Sequence, residues 1–304
     1  MKQSTGKSLF SLFFVLSLCT GVPAASFPTN PAVASAPLEL RRIAAARPDV
    51  HFVPTPMAVV QKMLEMAGVD ENDRVYDLGS GDGRIVITAA RERGARGVGI
   101  DIDPERIRES AANAEIAGVS GRVRFLQQNL FEADLSGASV VTLYLLPWIN
   151  LELRPKLLQE LRPGTRIVSH AFDMGDWEPD EFEIVEGDHV YFWIVPANVS
   201  GIWEWRSDLP EGSTDYRLEL AQEFQYVSGT IRIDGRSSHL EDTRLVGDRF
   251  EFTVEQEVDG HAALVHYKGR VRGDAMEIAA PRTAAGTTAW RARRAPETMA
   301  SLAE

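Results

Sequence analysis

The residues of this 304-residue sequence whose types and spacing best suit chemistry form one run, Asp77-Leu78-Gly79-Ser80-Gly81-Asp82-Gly83. Glycine tolerates positive φ and has no Cβ, so glycines at every second position let the backbone turn sharply and approach a ligand closely. Apolar Val75-Tyr76 precedes the run and Ile85-Val86 follows it, which predicts a strand, a tight loop and a helix. The helix N-terminus would direct its free N–H groups and positive dipole end at the loop. We therefore expect the main chain to bind a ligand with an anionic or carboxylate-bearing group.

A second carboxylate follows the same pattern further along the chain. Val98-Gly99-Ile100 is a short apolar run that ends on Asp101, about 20 residues beyond the loop, the place from which doubly wound folds bond a ribose. Two other glycine-loop patterns do not fit, because the spacing departs from G-x-G-x-x-G and no G-K-[ST] follows. The loop and the two strand-ending acids together predict a site for a nucleoside-containing ligand.

The glycine run closely resembles the first motif of class I S-adenosylmethionine-dependent methyltransferases, and residues 52–200 resemble that class along their whole length. The stretch from Asp77 to Val86, with the proline-rich entry Phe52–Pro56 before it, is most similar to the seven-strand protein-lysine methyltransferases. The resemblance implies methyl transfer from a sulfonium to a nucleophile, with S-adenosylmethionine as cofactor and without a metal. It also implies N-methylation of a protein side chain or of a small molecule.

The resemblance assigns cofactor roles to the loop and to both acids. Asp77 would lie near the methionine amine, and Asp101 would bond the ribose hydroxyls. The loop residues that would line the cofactor are Gly79, Ser80, Gly81 and Gly83.

Two further cofactor positions match the family less closely. Asn129 stands where the family commonly has an Asp that bonds the adenine amino group, and the side-chain oxygen of Asn can still accept that bond. Thr55 belongs to the segment that closes over the cofactor in the family. The residue types alone also allow Thr55 to be the N-cap of a helix with Pro56 at its first position.

Tyr144 and Pro147 are the candidates for walls of the reaction site. They follow the apolar run Ala138–Leu143, and in the family this strand end meets the transferable methyl group. N-methyltransferases often carry a proline and an aromatic residue there. The alternative is an ordinary buried tyrosine and a turn proline.

The elements that must position these residues alternate between strand and helix from residue 52 to residue 170. This alternation predicts a doubly wound, mostly parallel α/β sheet, which the resemblance sets at seven strands. Two further strands, at 181–185 and 189–195, are separated by three residues, too few for a parallel crossover. They must form an antiparallel hairpin that closes the sheet.

The sequence changes character near Trp203. Period-two alternation with glycine turns predicts short antiparallel strands in a small barrel or sandwich. The predicted organisation is a signal peptide at 1–24, a linker at 25–50, the methyltransferase domain at 51–202, a β-rich domain at 203–294 and a tail at 295–304.

Composition limits the partners. The formal net charge is −12, which disfavours a nucleic-acid substrate because phosphate backbones need cationic surfaces, so a protein or small-molecule substrate is expected. The single cysteine, Cys19, lies in the apolar N-terminal segment, so a processed chain would have no disulfide and no cysteine metal ligand.

The N-terminal segment predicts export. Lys2 and Lys7 precede an apolar run from Leu9 to Leu18, and Val22-Pro23-Ala24 suits cleavage after Ala24. An uncleaved membrane anchor or a cytoplasmic chain is the alternative, since S-adenosylmethionine is made in the cytosol. A second alternative is an exported binding protein that keeps the fold without catalysis and uses its β-rich domain to bind an envelope ligand.

Overall fold

The computed structural model describes residues 52–209, 212–258, 260–282 and 286–302, all of which belong to one compact unit. The predicted signal segment and linker lie outside the described residues, so cleavage and export stay predictions. Two sheets, one mixed and one antiparallel, organise the described part of the chain.

The first sheet has seven strands in the order β3-β2-β1-β4-β5-β7-β6. The first five strands in this order are parallel, and β7 is antiparallel to both β5 and β6. The strands are β1 Arg74–Leu78, β2 Arg96–Asp101, β3 Val123–Gln127, β4 Val140–Leu143, β5 Arg166–His170, β6 Glu181–Val185 and β7 Asp188–Ile194. The predicted doubly wound sheet and its closing hairpin are confirmed.

Helices cover both faces of this sheet. They are α1 Met57–Met66, α2 Arg84–Arg93, α3 Pro104–Ile116 and α4 Pro147–Glu160. One face buries apolar residues of α1, α2 and α3, and the other buries Leu153 and Leu157 of α4. Helix α3 begins as its sequence predicts, because Asp103 accepts a 2.7 Å hydrogen bond from the Glu105 amide and Pro104 follows at the first position. None of the helices in the described ranges is long and apolar enough to cross a bilayer.

The second sheet has nine antiparallel strands in the order β11-β10-β9-β8-β16-β15-β14-β13-β12. Its strands are β8 Gly201–Leu209, β9 Gly212–Glu223, β10 Tyr226–Ile233, β11 Arg236–His239, β12 Glu241–Val246, β13 Arg249–Val258, β14 His261–Arg272, β15 Ala275–Arg282 and β16 Gly286–Arg294. The Ser238 hydroxyl donates to the Glu255 carbonyl at 3.0 Å, and that of Thr243 donates to the Val227 carbonyl at 2.6 Å. These bonds join β11 to β13 and β12 to β10, so the sheet curls and side chains connect its two ends. The curled sheet encloses a core that includes Trp203, Phe250 and Tyr267.

The two sheets share part of one core. Phe224, in the turn between β9 and β10, stacks on Trp177 with ring centroids 5.8 Å apart and planes 14° apart. The Arg154 guanidinium lies 5.2 Å from the centre of the same Phe224 ring. The Ala197 amide also donates to the Gly247 carbonyl at 2.8 Å. The second sheet begins at Gly201, close to the predicted boundary, and independent folding of 203–294 stays a prediction.

Candidate active site

A cavity of about 1010 Å³ opens at the carboxyl ends of β1, β2 and β4. The carboxyl edge of a doubly wound sheet is where ligands of this fold bind. The predicted site residues that line the cavity are Thr55, Asp77, Gly79, Ser80, Asp101, Asn129 and Tyr144. Gly81, Gly83 and Pro147 were also predicted and do not line it.

Asp77 is a buried carboxylate at the floor of this cavity, 3% exposed. The Thr142 hydroxyl donates a 2.7 Å hydrogen bond to its Oδ1 atom. Burial raises the pKa of Asp77 to about 7, the hydrogen bond opposes this rise, and the negative charges of Asp101 and Asp82 add to it. No described residue forms an ion pair with Asp77, and a buried carboxylate of this kind suits a ligand with a cationic group, such as the ammonium of a methionine.

Ser80 provides a second polar group that suits a ligand. Its side chain is 5% exposed, and its Oγ atom has no hydrogen-bond partner among the described residues although it lines the cavity. A buried hydroxyl without a hydrogen-bond partner costs free energy, so in native structures such groups usually form a hydrogen bond with a ligand or a water molecule. Asp77 and Ser80 therefore fit the polar methionine end of S-adenosylmethionine.

The glycine loop has left-handed backbone at all three glycines, with φ of 77° at Gly79, 51° at Gly81 and 79° at Gly83. A Cβ on Gly81 would overlap the Phe52 ring, which lies over the loop. Gly83 is the N-cap of α2, and its Cβ would be 2.7 Å from Phe125. These two glycines thus let other parts of the protein pack on the loop, and their predicted cofactor contacts stay predictions.

Asp101 joins β2 to the glycine loop. Its Oδ2 atom accepts a 2.8 Å hydrogen bond from the Gly81 amide, and its Oδ1 atom accepts one from the Asp103 amide at 3.0 Å. Each carboxylate oxygen has a second lone pair, so the predicted bonds to ribose hydroxyls are compatible with both contacts. The Oδ1 atom of Asn129 accepts a 3.0 Å hydrogen bond from the Phe131 amide. It keeps one lone pair, so the predicted bond from the adenine amino group is compatible with this contact.

Thr55 does not cap the first helix, so that alternative is wrong. The N-cap of α1 is Pro56, without a side-chain capping bond. Thr55 is 4% exposed; its Oγ1 atom lies 3.3 Å from the His170 Nδ1 atom and its carbonyl accepts from Arg84 Nη1 at 2.8 Å. Because Arg84 also binds Asp82, it fastens the entry segment to the glycine loop.

His170 is a residue beside the cavity to which the sequence predictions assigned no role. Its ring lies 3.8 Å from that of Tyr144, centre to centre, and its Nε2 atom is 3.5 Å from Asp188 Oδ1. Burial lowers the pKa of His170, and Asp188 partly opposes this. The ring is buried behind Tyr144, so it fixes the position of the cavity wall. Its place at the end of β5, the next parallel strand after β4, was the signal that could have indicated it.

The region around Pro147 forms the open side of the cavity. Pro147 is the first residue of α4, where its missing N–H is harmless, and it does not line the cavity. Leu145, Leu146 and Trp148 do line it, and Trp148 is 51% exposed at the mouth. Tyr144 therefore lines the cavity, as do residues on both sides of Pro147, while Pro147 itself does not; the predicted role of Tyr144 at the reaction site stays a prediction. The described residues hold no group of three or more potential metal ligands.

Comparison with known proteins agrees with this geometry. The sequence profile of the ANTKMT methyltransferase domain matches residues 77–181. A protein-lysine N-methyltransferase from Saccharolobus islandicus (strain REY15A) is 50% identical over 153 residues, which cover 49% of this chain and 95% of that protein. The adenine nucleotide translocase lysine N-methyltransferase of Mus musculus is 36% identical over 107 residues, which cover 35% of this chain and 46% of that protein.

A solved structure was also found. The crystal structure of an RNA methyltransferase from Salinibacter ruber in complex with S-adenosyl-L-homocysteine is 60% identical, and the match covers 48% of this chain and 96% of that chain with a TM-score of 0.48. Because the Saccharolobus islandicus relative is matched over nearly its whole length, and the ANTKMT profile covers the glycine loop and strands β2 to β5, this chain belongs to the family of S-adenosylmethionine-dependent protein-lysine methyltransferases.

Proposed function

We propose that this chain transfers a methyl group to the side-chain amine of lysine in a protein substrate. One observation carries the proposal: a single cavity joins polar groups that suit the cofactor, Asp77, Ser80 and Asp101, to a mouth lined by Tyr144 and Trp148. The polar part suits the cofactor, and the aromatic part can receive a long side chain that ends in an amine.

The chain's residues divide the task of holding the cofactor. Asp77 would hold the methionine ammonium, the Ser80 hydroxyl would bond a polar group beside it, and Asp101 would bond the ribose hydroxyls. When bound there, S-adenosylmethionine supplies an electrophilic methyl group on a sulfonium. The role of the protein is then to hold the acceptor amine in line with that methyl group and to exclude water.

The mouth also helps the amine to become a nucleophile. A lysine ammonium has an ordinary pKa of about 10.4, and only its neutral form has a lone pair that can attack. Surroundings of low polarity, such as Leu145, Leu146 and Phe172, lower the pKa of an amine by disfavouring its charge. His170 supports this wall from behind Tyr144, and Thr55 in turn contacts the His170 ring.

Charge favours a cationic acceptor over RNA. The net charge is −12, and no Lys or Arg occurs between Ala171 and Trp205, the segment that begins directly after His170 at the carboxyl edge of β5. A phosphate backbone would be repelled by such a surface, whereas a lysine-bearing segment would be attracted.

The experiment is methyl transfer with a labelled cofactor. The purified full chain is incubated with S-adenosylmethionine that carries a deuterated methyl group and, in separate reactions, with a histone mixture, an RNA oligonucleotide and free lysine. Mass spectrometry should find the label on lysine side chains of protein, and Asp101→Ala should lose it. Label on RNA or on free lysine, with none on protein, would contradict the proposal.

A further inference from the structure

The outermost strand of the seven-strand sheet, β6, is open along one side. It pairs with β7, and its backbone forms no other hydrogen bond within the described ranges. Phe182 and Ile184 on this strand are 47% and 59% exposed. An edge strand with free N–H and C=O groups and large exposed apolar side chains is a template on which another extended chain can add.

The two faces of β6 differ in chemistry. Phe182 packs beside Tyr191, with ring centroids 5.0 Å apart, so Phe182 and Ile184 extend an apolar face of the sheet. Side chains alternate along a strand, and Glu181 and Glu183 therefore lie on the opposite face. Both glutamates are exposed, and neither forms an ion pair with another described residue. An added strand would meet apolar groups on one side and carboxylates on the other.

The charge around β6 has one sign. Eight acidic residues occur between Asp173 and Asp188, without any Lys or Arg. Some of these acids have partners, since Asp176 pairs with Arg154 and Glu178 accepts from the Tyr226 hydroxyl at 2.6 Å. Glu181, Glu183 and Glu186 have none in the described part of the chain. The surface is therefore complementary to a cationic peptide.

β6 also leads to the active site. It runs parallel to β5. Its last residue, Val185, therefore lies at the same edge of the sheet as His170 and Tyr144. Asp188, directly after the hairpin turn, is 3.5 Å from His170. A strand added to β6 would be separated from β4 by β6, β7 and β5, roughly 19 Å at the usual strand spacing. About six extended residues span that distance.

We propose that β6 binds an extended segment of the protein substrate, with alternating apolar and basic side chains, as an additional strand of the sheet. Apolar side chains of the segment pack on Phe182 and Ile184, and basic side chains pair with Glu181 and Glu183. The lysine that receives the methyl group lies about six residues beyond the paired segment. This inference rests on the proposed function, because it names how the substrate of that same site is held.

The test uses a peptide of five alternating Val and Arg residues, a Gly-Ser spacer of five residues and one Lys, with the full chain. A second peptide has the same composition with Val and Arg in blocks. We expect a KM about tenfold lower for the alternating peptide than for the block peptide. Glu181→Lys/Glu183→Lys should raise that KM about tenfold without changing kcat, and the difference should shrink at high salt.

A matched control separates docking from overall charge. Glu255→Lys/Glu277→Lys changes the net charge by the same amount at two exposed glutamates of the other sheet, and KM should not change. Equal KM values for the two peptides, or equal effects of the two double variants, would overturn the inference. Shortening the spacer to one residue should also reduce kcat, since the lysine would no longer reach the cavity.

Peptide binding in the presence of S-adenosylhomocysteine, followed by fluorescence anisotropy, makes failure of the inference distinguishable from failure of the proposed function. Binding that depends on Glu181 and Glu183 without any methyl transfer would leave the docking strand standing and refute lysine methylation. Methyl transfer that does not depend on Glu181 and Glu183 would support lysine methylation and refute the docking strand. A wild-type chain that does not bind the alternating peptide overturns the docking strand.

Hydrogen exchange of the peptide-free chain tests whether β6 is instead paired with another segment of the same chain or with a second copy of the chain. The amides of Glu181–Val185 should exchange faster in the free chain than with peptide bound. Protection without peptide that does not change with protein concentration would assign the edge to another segment of the same chain. Protection that rises with concentration would assign it to a second copy. Either result overturns a substrate strand.

Discussion

Thr142 donates a 2.7 Å hydrogen bond to the buried carboxylate of Asp77, and the two residues are direct partners in the register of β4 and β1. The hydroxyl keeps the pKa of Asp77 lower than burial alone would set it. The resulting pKa of about 7 leaves the carboxylate close to half-ionised at neutral pH before a ligand arrives. Cofactor affinity should therefore depend on pH in a range where most aspartates are fully charged.

We expect the affinity for S-adenosylhomocysteine to fall as the pH drops below about 7, the value to which the pKa of Asp77 is raised. The ligand's ammonium is paired only with the ionised form, so protonation of Asp77 competes with binding. Thr142→Val removes the hydrogen bond that lowers the pKa, and the midpoint of the affinity profile should move to higher pH. Isothermal titration from pH 5.5 to 8.5 measures both, and identical profiles for the two proteins would contradict the assignment.

Asp77→Asn should stabilise the ligand-free protein at pH 8 while it weakens ligand binding. The folded pKa of about 7 lies above the ordinary value of 3.8, so the folded state binds more protons between these values and stability falls as the pH rises through them. At pH 8 the wild-type protein carries the full cost of a buried charge, which Asn lacks. Thermal melts should show a higher Tm for Asp77→Asn at pH 8 and little difference at pH 4. A lower Tm at pH 8 would refute a costly buried charge.

Asp101→Ala should weaken S-adenosylhomocysteine binding roughly ten- to a hundredfold, because charge-assisted contacts to two hydroxyls are lost. The same change leaves the Gly81 and Asp103 amides without their acceptor, so the loop should also exchange its amide hydrogens faster. Asp208→Ala, at an exposed position of β8, is the matched control. Unchanged affinity with an intact circular dichroism spectrum would remove Asp101 from the site.

The parts of the fold that the sequence predicted depend on signals local to a few residues. Asp77, Asp101 and Tyr144 each follow an apolar run, so the rule that ligands bind at strand ends places them at one edge. The Asp103-Pro104 start of α3 was equally local. The seven-strand count came from family resemblance, since the spacing of residues alone does not give it.

What the sequence did not predict depends on contacts between distant residues. Thr55 meets His170 across 115 positions, and nothing near Thr55 distinguishes this contact from helix capping. The contact between the Phe52 ring and Gly81 also joins residues far apart in the sequence, and nothing near either residue indicates it. In the second sheet, β8 pairs with β16 at the far end of the chain, a register that period-two patterning cannot give.

Phe224→Ala tests whether the two sheets stabilise one another. Phe224 is 9% exposed and contacts both Trp177 and Arg154, so its loss should lower the free energy of unfolding by about 3–5 kcal/mol. Tyr226→Phe removes an exposed hydroxyl that bonds Glu178 nearby and should cost about 1 kcal/mol or less. Urea unfolding followed by tryptophan fluorescence measures both. If Phe224→Ala leaves every transition unchanged, the sheets are independent and residues 203–294 form a separate domain, as the sequence predicted.

Gly81→Ala and Phe52→Ala should be coupled, because the added Cβ overlaps an atom of the Phe52 ring only when both groups are present. The single variant Gly81→Ala suffers the overlap and the strain of an L-residue at φ 51°. The double variant retains the strain and loses the overlap, so it should cost less than the sum of the singles, by about 0.5–3 kcal/mol. Gly118 is the matched control, since its φ is 70° and a Cβ there has no neighbour within 4 Å. Gly118→Ala combined with Phe52→Ala should be additive in urea unfolding. Additivity for the Gly81 pair as well would mean that Phe52 does not lie on the loop in solution, and that the cofactor side of the cavity is more open than the structure shows.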